Sequence, residues 1–383
     1  MRVLHCPWTV GGHAAGLAAA ERRLGIESAT VAFRPSPFGY PSDEVLWADD
    51  EHSLTRELKR FRLLARVLRD FDVVHFNFGS TIAPQRIPRD APAVDAASTI
   101  RNRGLRAYSS LFEQLDLPVL ARAGKAIFVT FQGDDGRQGD AFPGLPVNGA
   151  VEAAPGHYSP ASNADKRRRI ARFQRWADGI YALNPDLLRV LPERARFVPY
   201  AHVDASEWAP GPPAGARERP LVVHAPTNRE IKGTRFLLEA VSRLQAEGVG
   251  FDFELVEGRT QAEARALYAQ ADLVVDQLLI GWYGGLAVEA MALERPVVSY
   301  VREEDLRFVP EEMRDAIPVV EARPDTIRDV LEELLTTRRG ELAELGARGR
   351  RYVSLWHDPR RIAEELVEGY ETALNARRRS RRA

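Results

Sequence analysis

Apolar residues recur along this chain with two different periods. Short runs rich in Val, Ile, Leu and Phe occupy positions 3–6, 26–33, 73–76, 126–131, 179–183 and 197–200, with the length and composition of buried strands. Between them the spacing is helical. In residues 54–69, Leu54, Leu58, Phe61, Leu64 and Leu68 return every three or four positions with basic residues in between, as in a helix that lays one face on a sheet. Strands and helices in alternation predict βαβ units around a parallel sheet.

The pattern lapses at residues 203–220, a stretch rich in Pro and Gly with no period, which predicts an interdomain linker. It resumes with strands at 221–224, 251–256, 273–277 and 297–301 and helices at 234–247, 262–270 and 286–293. The fold class expected is therefore α/β, with two Rossmann-like, doubly wound domains at 1–202 and 221–355. Residues 356–383 supply a final helix, 360–374, and a basic tail too polar to pack. A length of 383 residues agrees, since single cores stop growing near roughly 250–300 residues.

Composition narrows the function. Apolar residues make up 45% and charged residues 28%, the balance of a globular protein. Lys plus Arg, 53, nearly cancels Asp plus Glu, 54, so no global field draws the protein to nucleic acid and any anion site must be local. Cys6 is the only cysteine, which excludes an internal disulfide and thiolate metal clusters and fits a reducing compartment. The N-terminus lacks the long apolar stretch of a secretory signal, and no run approaches the ~20 apolar residues of a membrane helix. The expectation is a cytoplasmic protein. The basic tail at 377–382 and the run Lys166-Arg167-Arg168-Arg169 read first as solvated surface. For the tail, weak contact with an anionic membrane on the cytoplasmic face is the alternative.

Two loops carry the chemistry. In Ile280-Gly281-Trp282-Tyr283-Gly284-Gly285-Leu286 a diglycine joins a strand to a helix, so the backbone can approach a ligand closely and the helix-start amides favour a phosphate. Glu289, one turn further on, can accept two hydrogen bonds from a ribose diol. The second loop, His224-Ala225-Pro226-Thr227-Asn228-Arg229-Glu230-Ile231-Lys232-Gly233, offers Lys232 as a point charge and Arg229 as a planar fork, two usual partners of phosphoryl oxygens. Both loops leave the C-terminal ends of neighbouring strands, where doubly wound folds bind ligands. Thr227, Asn228 and Glu257 are assigned to the same donor site. The bland reading is a tight turn, an exposed lysine and a surface glutamate.

With Lys232-Gly233 opening a helix and Glu289 following a glycine turn, the second half resembles the donor-binding domain of family-four, retaining GT-B glycosyltransferases. The resemblance spans most of the chain and is strongest from His224 to Val301. It implies the GT-B fold, with the domains facing across a cleft and the C-terminal helix returning to the N-terminal domain. It also implies transfer of a sugar from a nucleotide diphosphate to a hydroxyl acceptor, with retention, without metal and without a cofactor. UDP-sugars are favoured over GDP-sugars. Three positions depart from the family pattern. Gly281 stands where the family has a sugar-contacting glutamate, leaving that contact to Trp282 or Tyr283. Thr227 replaces an arginine for which Arg229 is the substitute, and Gln132 stands where histidine is usual.

In the N-terminal half, Gly11, Gly12 and His13 resemble the family's glycine-rich loop facing the diphosphate. Gln132, Gly133, Asp134, Asp135 and Arg137 follow the strand that would face the acceptor. The two aspartates read as a turn rather than a metal site. His75 is the strand-end histidine best placed to reach the cleft and joins Lys232, Arg229 and Gln132 as a catalytic candidate. No spacing suits a Ser-His-Asp triad or paired metal histidines. The rival readings are a catalytically degenerate GT-B subunit that binds nucleotide or serves as a scaffold, and a nucleotide-sugar epimerase of the same architecture.

Overall fold

A computed structural model describes residues 1–48, 50–86, 96–142 and 157–382, by backbone alone at 96–103 and 381–382. The first domain holds β1 (Arg2–Cys6), β2 (Glu27–Ala32), β3 (Glu44–Val45), β4 (Val73–Asn77), β5 (Ala126–Phe131), β6 (Gly179–Ala182) and β7 (Arg196–Phe197). They form one parallel sheet in the order β3-β2-β1-β4-β5-β6-β7. The second domain holds β8 (Leu221–His224), β9 (Asp252–Leu255), β10 (Leu273–Val275), β11 (Val297–Ser299) and β12 (Val320–Glu321), parallel in the order β12-β11-β10-β8-β9. In each sheet the order reverses beside the first strand of the domain, between β1 and β4 and between β8 and β10. Those reversals create the crevices where open α/β sheets hold ligands.

Strand parity sorts the first domain into two layers. Leu4, Cys6, Val74, Phe76, Ile127 and Val129 point to one core, covered by the helices Ser53–Asp70, Asp116–Arg122 and Pro160–Trp176. Val3, Val73, Ala126 and Phe128 point to the other, with Leu17 of the helix His13–Arg23 and Ile362, Leu366, Tyr370 and Leu374 of the helix Pro359–Arg382. The C-terminal helix therefore packs on the N-terminal domain, as the resemblance implied.

Three differences from the sequence reading have plain causes. The strands β3 and β12 are two residues long, too short to leave a periodic signal. The 203–220 stretch is packed, not free, because Arg350 donates to the carbonyls of Ala205 and Trp208 at 2.8 and 2.7 Å. The last helix also runs on through the basic tail to Arg382. Arginine is a good helix former, and Arg377 donates to Asp178 at 2.8 Å. Among the described residues, no helix is long and apolar enough to cross a membrane.

The chain crosses between domains near Tyr200 and again near His357, and the crossings pack on each other. His357 is buried, with Nδ1 3.0 Å from the Tyr200 carbonyl and Nε2 3.0 Å from the Tyr283 hydroxyl. Burial pushes its pKa down to about 3, so it is a neutral structural joint.

Candidate active site

A cleft of about 380 Å³ opens between the domains at the C-terminal ends of both sheets. On the second domain, the loops after β8 and β10 meet there. Asn228 caps a single helical turn, Arg229–Lys232, its side chain accepting from the amides of Glu230 and Ile231 at 3.0 and 3.1 Å. The turn ends at Gly233, whose φ of +77° suits glycine, and the helix Thr234–Ala246 follows. This geometry aims Lys232 at the second loop: Nζ lies 2.5 Å from Gln277 Oε1 and 3.4 Å from Asp276 Oδ1. Asp276, fully buried, also accepts from the Gly284 amide. Lys232 Nζ is 3.1 Å from where a Cβ at position 284 would stand, so the cation and the start of the helix Gly285–Ala292 share one corner of the cleft.

Glu289 lies one turn into that helix. It accepts from the Tyr40 hydroxyl at 3.0 Å, across the domain boundary, and from Gln261 Nε2 at 3.3 Å. Burial pushes its pKa up to about 7, against those two hydrogen bonds. Because the folded state holds a proton that the unfolded chain releases near the ordinary 4.5, the stability from this group is complete below that value and is lost as pH rises through about 7. Thermal melts from about pH 5 to 8 should show that decline, and Glu289→Gln should flatten it.

From the first domain, Gly11 and His13 reach the cleft. The Ala201 amide donates to His13 Nδ1 at 3.2 Å, and burial, with His202 and His5 nearby, pushes the ring's pKa down to about 3. The neutral ring must then carry its proton on Nε2, which has no hydrogen-bond partner. His13, which lines the cleft, thus keeps one ring N–H that no protein acceptor takes. Gln132, Gly133, Asp134 and Arg137 line the far side. Asp134 accepts from Tyr158 at 2.6 Å and from Arg137 at 3.1 Å. Burial opposes its ionisation, but His157, Arg137 and Tyr158 together hold it well below the usual carboxylate range. Arg137 also forks onto Asp186 at 2.6 and 3.2 Å.

The structure thus gathers Gly11, His13, Gln132, Gly133, Asp134, Arg137, Thr227, Asn228, Lys232, Glu257, Gly284, Gly285, Leu286 and Glu289 around one cleft. Other candidates do not line it. His75 is buried in the first domain: Tyr370 donates to Glu21 at 3.2 Å, so it accepts from His75 Nδ1 at 2.6 Å, while Nε2 meets the Thr130 hydroxyl at 2.7 Å. Arg229 begins the capped turn and faces outward onto Glu257, Nε to Oε1 2.7 Å. Trp282 and Tyr283 are fully buried, the tyrosine hydroxyl bonded to Tyr352 and His357 at 2.8 and 3.0 Å. Gly281 backs onto Arg302. Asp135 accepts from the Gln132 and Gly133 amides at 3.0 and 2.7 Å, shaping the loop from behind. Gly12, at φ +72°, touches Tyr40 rather than the cleft. Among the described residues no cluster of His, Cys, Asp or Glu could hold a metal ion.

Sequence reading missed Tyr40, Gln261, Asp276, Gln277 and Tyr200. The aspartate and glutamine had left a signal, a polar pair closing an apolar strand. Tyr40, in the Pro/Gly-rich loop after β2, reaches Glu289 from across the domain boundary.

Neither a protein-family model nor a curated protein sequence matches the chain. Solved structures do. Sucrose-phosphate synthase from Thermosynechococcus elongatus superposes with a TM-score of 0.60 at 15% identity, covering 98% of this chain and 100% of that one. The catalytic domain of starch synthase IV from Arabidopsis thaliana, bound to ADP and acarbose, gives 0.59 at 11%, covering 98% and 99%. HepE from Anabaena, in complex with UDP-glucose, gives 0.58 at 12%, covering 97% and 99%. At such identities the likeness is one of fold, over the full length of both domains, and the fold is that of GT-B glycosyltransferases.

Proposed function

We propose that the protein is a retaining glycosyltransferase of the family-four type, moving a sugar from a nucleoside diphosphate, UDP before GDP, to a hydroxyl acceptor without a metal ion. The observation that carries this reading is the convergence of the Lys232 ammonium and the start of the helix Gly285–Ala292 at one corner of an interdomain cleft. A diphosphate bound there meets a cation and helix-start amides. The nucleotides named with the superposed structures, UDP-glucose and ADP, suggest the donor class for this chain.

In this mechanism the bond from the anomeric carbon to the β-phosphate oxygen breaks as the acceptor oxygen attacks from the same face. The acceptor proton passes to the departing phosphate oxygen. Lys232 and the helix start take up the growing negative charge, the role a metal ion fills elsewhere. The carboxylate of Glu289 accepts from the ribose diol, and His13 Nε2–H, Gln132 and the loop ending at Arg137 face the sugar and acceptor. With Cys6 buried as a free thiol, a cytoplasmic location fits.

A thermal-shift panel of nucleoside diphosphates and nucleotide-sugars tests the donor, since a ligand of the folded state raises Tm by mass action. Analysis of the product's anomeric configuration tests retention. Nucleotide affinity should rise with pH through about 7 as Glu289 ionises, and Glu289→Gln should remove that dependence. Asp276, which already pairs with Lys232 and takes the Gly284 amide, favours a second reading, a subunit that binds nucleotide without turnover. Binding with neither transfer nor hydrolysis across the panel would support it.

A further inference from the structure

The loop between β2 and β3 touches both domains. Its end is pinned in the first: the Asp43 carboxylate accepts from the Thr30 amide and hydroxyl at 2.7 and 3.0 Å, and Ser42 donates to the Thr9 hydroxyl at 3.3 Å. Its middle reaches the second. The Phe38 carbonyl accepts from the Gln261 amide at 2.9 Å, satisfying one of the donors that the start of the helix Gln261–Tyr268 leaves without an intrahelical partner. Two residues on, the Tyr40 hydroxyl donates to Glu289 Oε1 at 3.0 Å. Gly12 makes room for the tyrosine ring, since a Cβ there would stand 2.6 Å from Tyr40 Cδ1. The second glycine of the Gly11-Gly12 pair therefore seats Tyr40.

Two donors converge on one carboxylate oxygen. Gln261 Nε2 also reaches Oε1, at 3.3 Å, and among the described residues nothing donates to Oε2. Glu289 lines the cleft, so its carboxylate is held by one oxygen and keeps the other without a protein donor. Burial disfavours the charge, and the hydrogen bonds from Gln261 and Tyr40 oppose that. The other titratable groups nearby do less. Arg265 favours the ionised form but is engaged with the Glu207 carbonyl at 2.7 Å. His202 Nε2 stands 3.7 Å from Oε1, beyond hydrogen-bond reach, and burial keeps that ring neutral, its pKa pushed down to about 4. Burial and the Glu289 charge push the phenols of Tyr40 and Tyr268 up, so the Tyr40 proton is always there to donate. Of the two donors to Oε1, Tyr40 alone comes from the first domain.

We propose that Tyr40 is a positioning residue for the nucleotide: from the first domain it holds the Glu289 carboxylate so that the free oxygen accepts from the ribose. This rests on the reading that Glu289 binds the ribose, and it makes nucleotide affinity depend on both domains. The test compares wild type with Tyr40→Phe, which keeps the ring, and with Glu289→Gln. Losing one hydrogen bond to the charged carboxylate should raise the Glu289 midpoint by roughly half a pH unit to one unit. In ligand-free thermal melts from about pH 5 to 9, the decline in stability centred near pH 7 should therefore move up by that amount in Tyr40→Phe. In titrations with UDP, Tyr40→Phe should bind about fivefold more weakly than wild type at about pH 6, and within about twofold at about pH 8.5, where both carboxylates are ionised. This ratio cancels the ionisation of the UDP phosphate itself, near about pH 6. At about pH 8.5, Glu289→Gln should bind UDP about tenfold more weakly than wild type. Melts that do not shift, a loss of the same size at every pH, or tighter UDP binding by Tyr40→Phe overturns the proposal and leaves the ribose assignment standing. A Glu289→Gln variant that binds UDP like wild type at about pH 8.5 strikes that assignment, and the nucleotide role of Tyr40 with it, even where the ligand-free melts shift.

Discussion

Lys232→Ala is expected to erase the thermal stabilisation that the best nucleoside diphosphate gives the wild-type protein, and to lower sugar transfer by about 10²–10³-fold. The size follows from where the charge sits. Lys232 is largely screened from water, its side chain 18% exposed, and faces a corner in which a buried aspartate is already present. Without the ammonium, a diphosphate would meet the Asp276 carboxylate with only helix-start amides to offset it. Alanine leaves the turn itself in place, because Gly233 and the Asn228 cap hold it, but it strips the buried Asp276 carboxylate of its cation. The unliganded Tm should therefore fall, and the ligand-dependent shift measured from that lower baseline should vanish. A variant that responds to nucleoside diphosphates like wild type would put the anion site elsewhere.

The same corner shows what could be read from residues alone. Alternating strands and helices, the Pro/Gly break and the diglycine at a helix start were legible because each is a local pattern, and the strand order then brings the loops after β8 and β10 side by side. The direction of a side chain was less legible. His75 lies in the middle of β4, not at its end, and parity turns it with Val73 toward the C-terminal helix, where its partner Tyr370 lies 295 positions away in sequence. Arg229 and Lys232 share one loop, and only the Asn228 cap decides which of them faces the cleft. Trp282 and Tyr283 look like ligand aromatics beside a glycine turn, but Tyr352 and His357 of the returning chain claim the tyrosine hydroxyl. Tyr40 meets Glu289 across the domain boundary, 249 positions away in sequence, and no local pattern records that.

Gly281→Glu, which would restore the glutamate expected of the resembled family, should destabilise the protein instead of improving its donor contact. A Cβ at position 281 would lie 2.4 Å from Arg302 Cβ and 2.9 Å from its guanidinium carbon. The first of those atoms is tied to the backbone and cannot swing aside. The Arg302 amide donates to the Gly281 carbonyl at 3.0 Å, and its guanidinium donates to buried Asp305 at 2.9 Å, which in turn pairs with Arg189 of the first domain. Making room at 281 thus disturbs a chain of contacts that holds the domains together. Overpacking of this kind costs about 1–3 kcal/mol, and a glutamate would add a carboxylate confined beside Trp282 and Tyr283. Gly281→Ala isolates the steric part and should lower Tm by a few degrees, on the order of the shift that ~1 kcal/mol gives a protein of this size. Gly281→Glu should lower it further, with no gain in nucleotide-sugar affinity. Equal melting temperatures for wild type and Gly281→Glu would mean that the loop yields easily, and Gly281 would then reflect donor choice instead of packing.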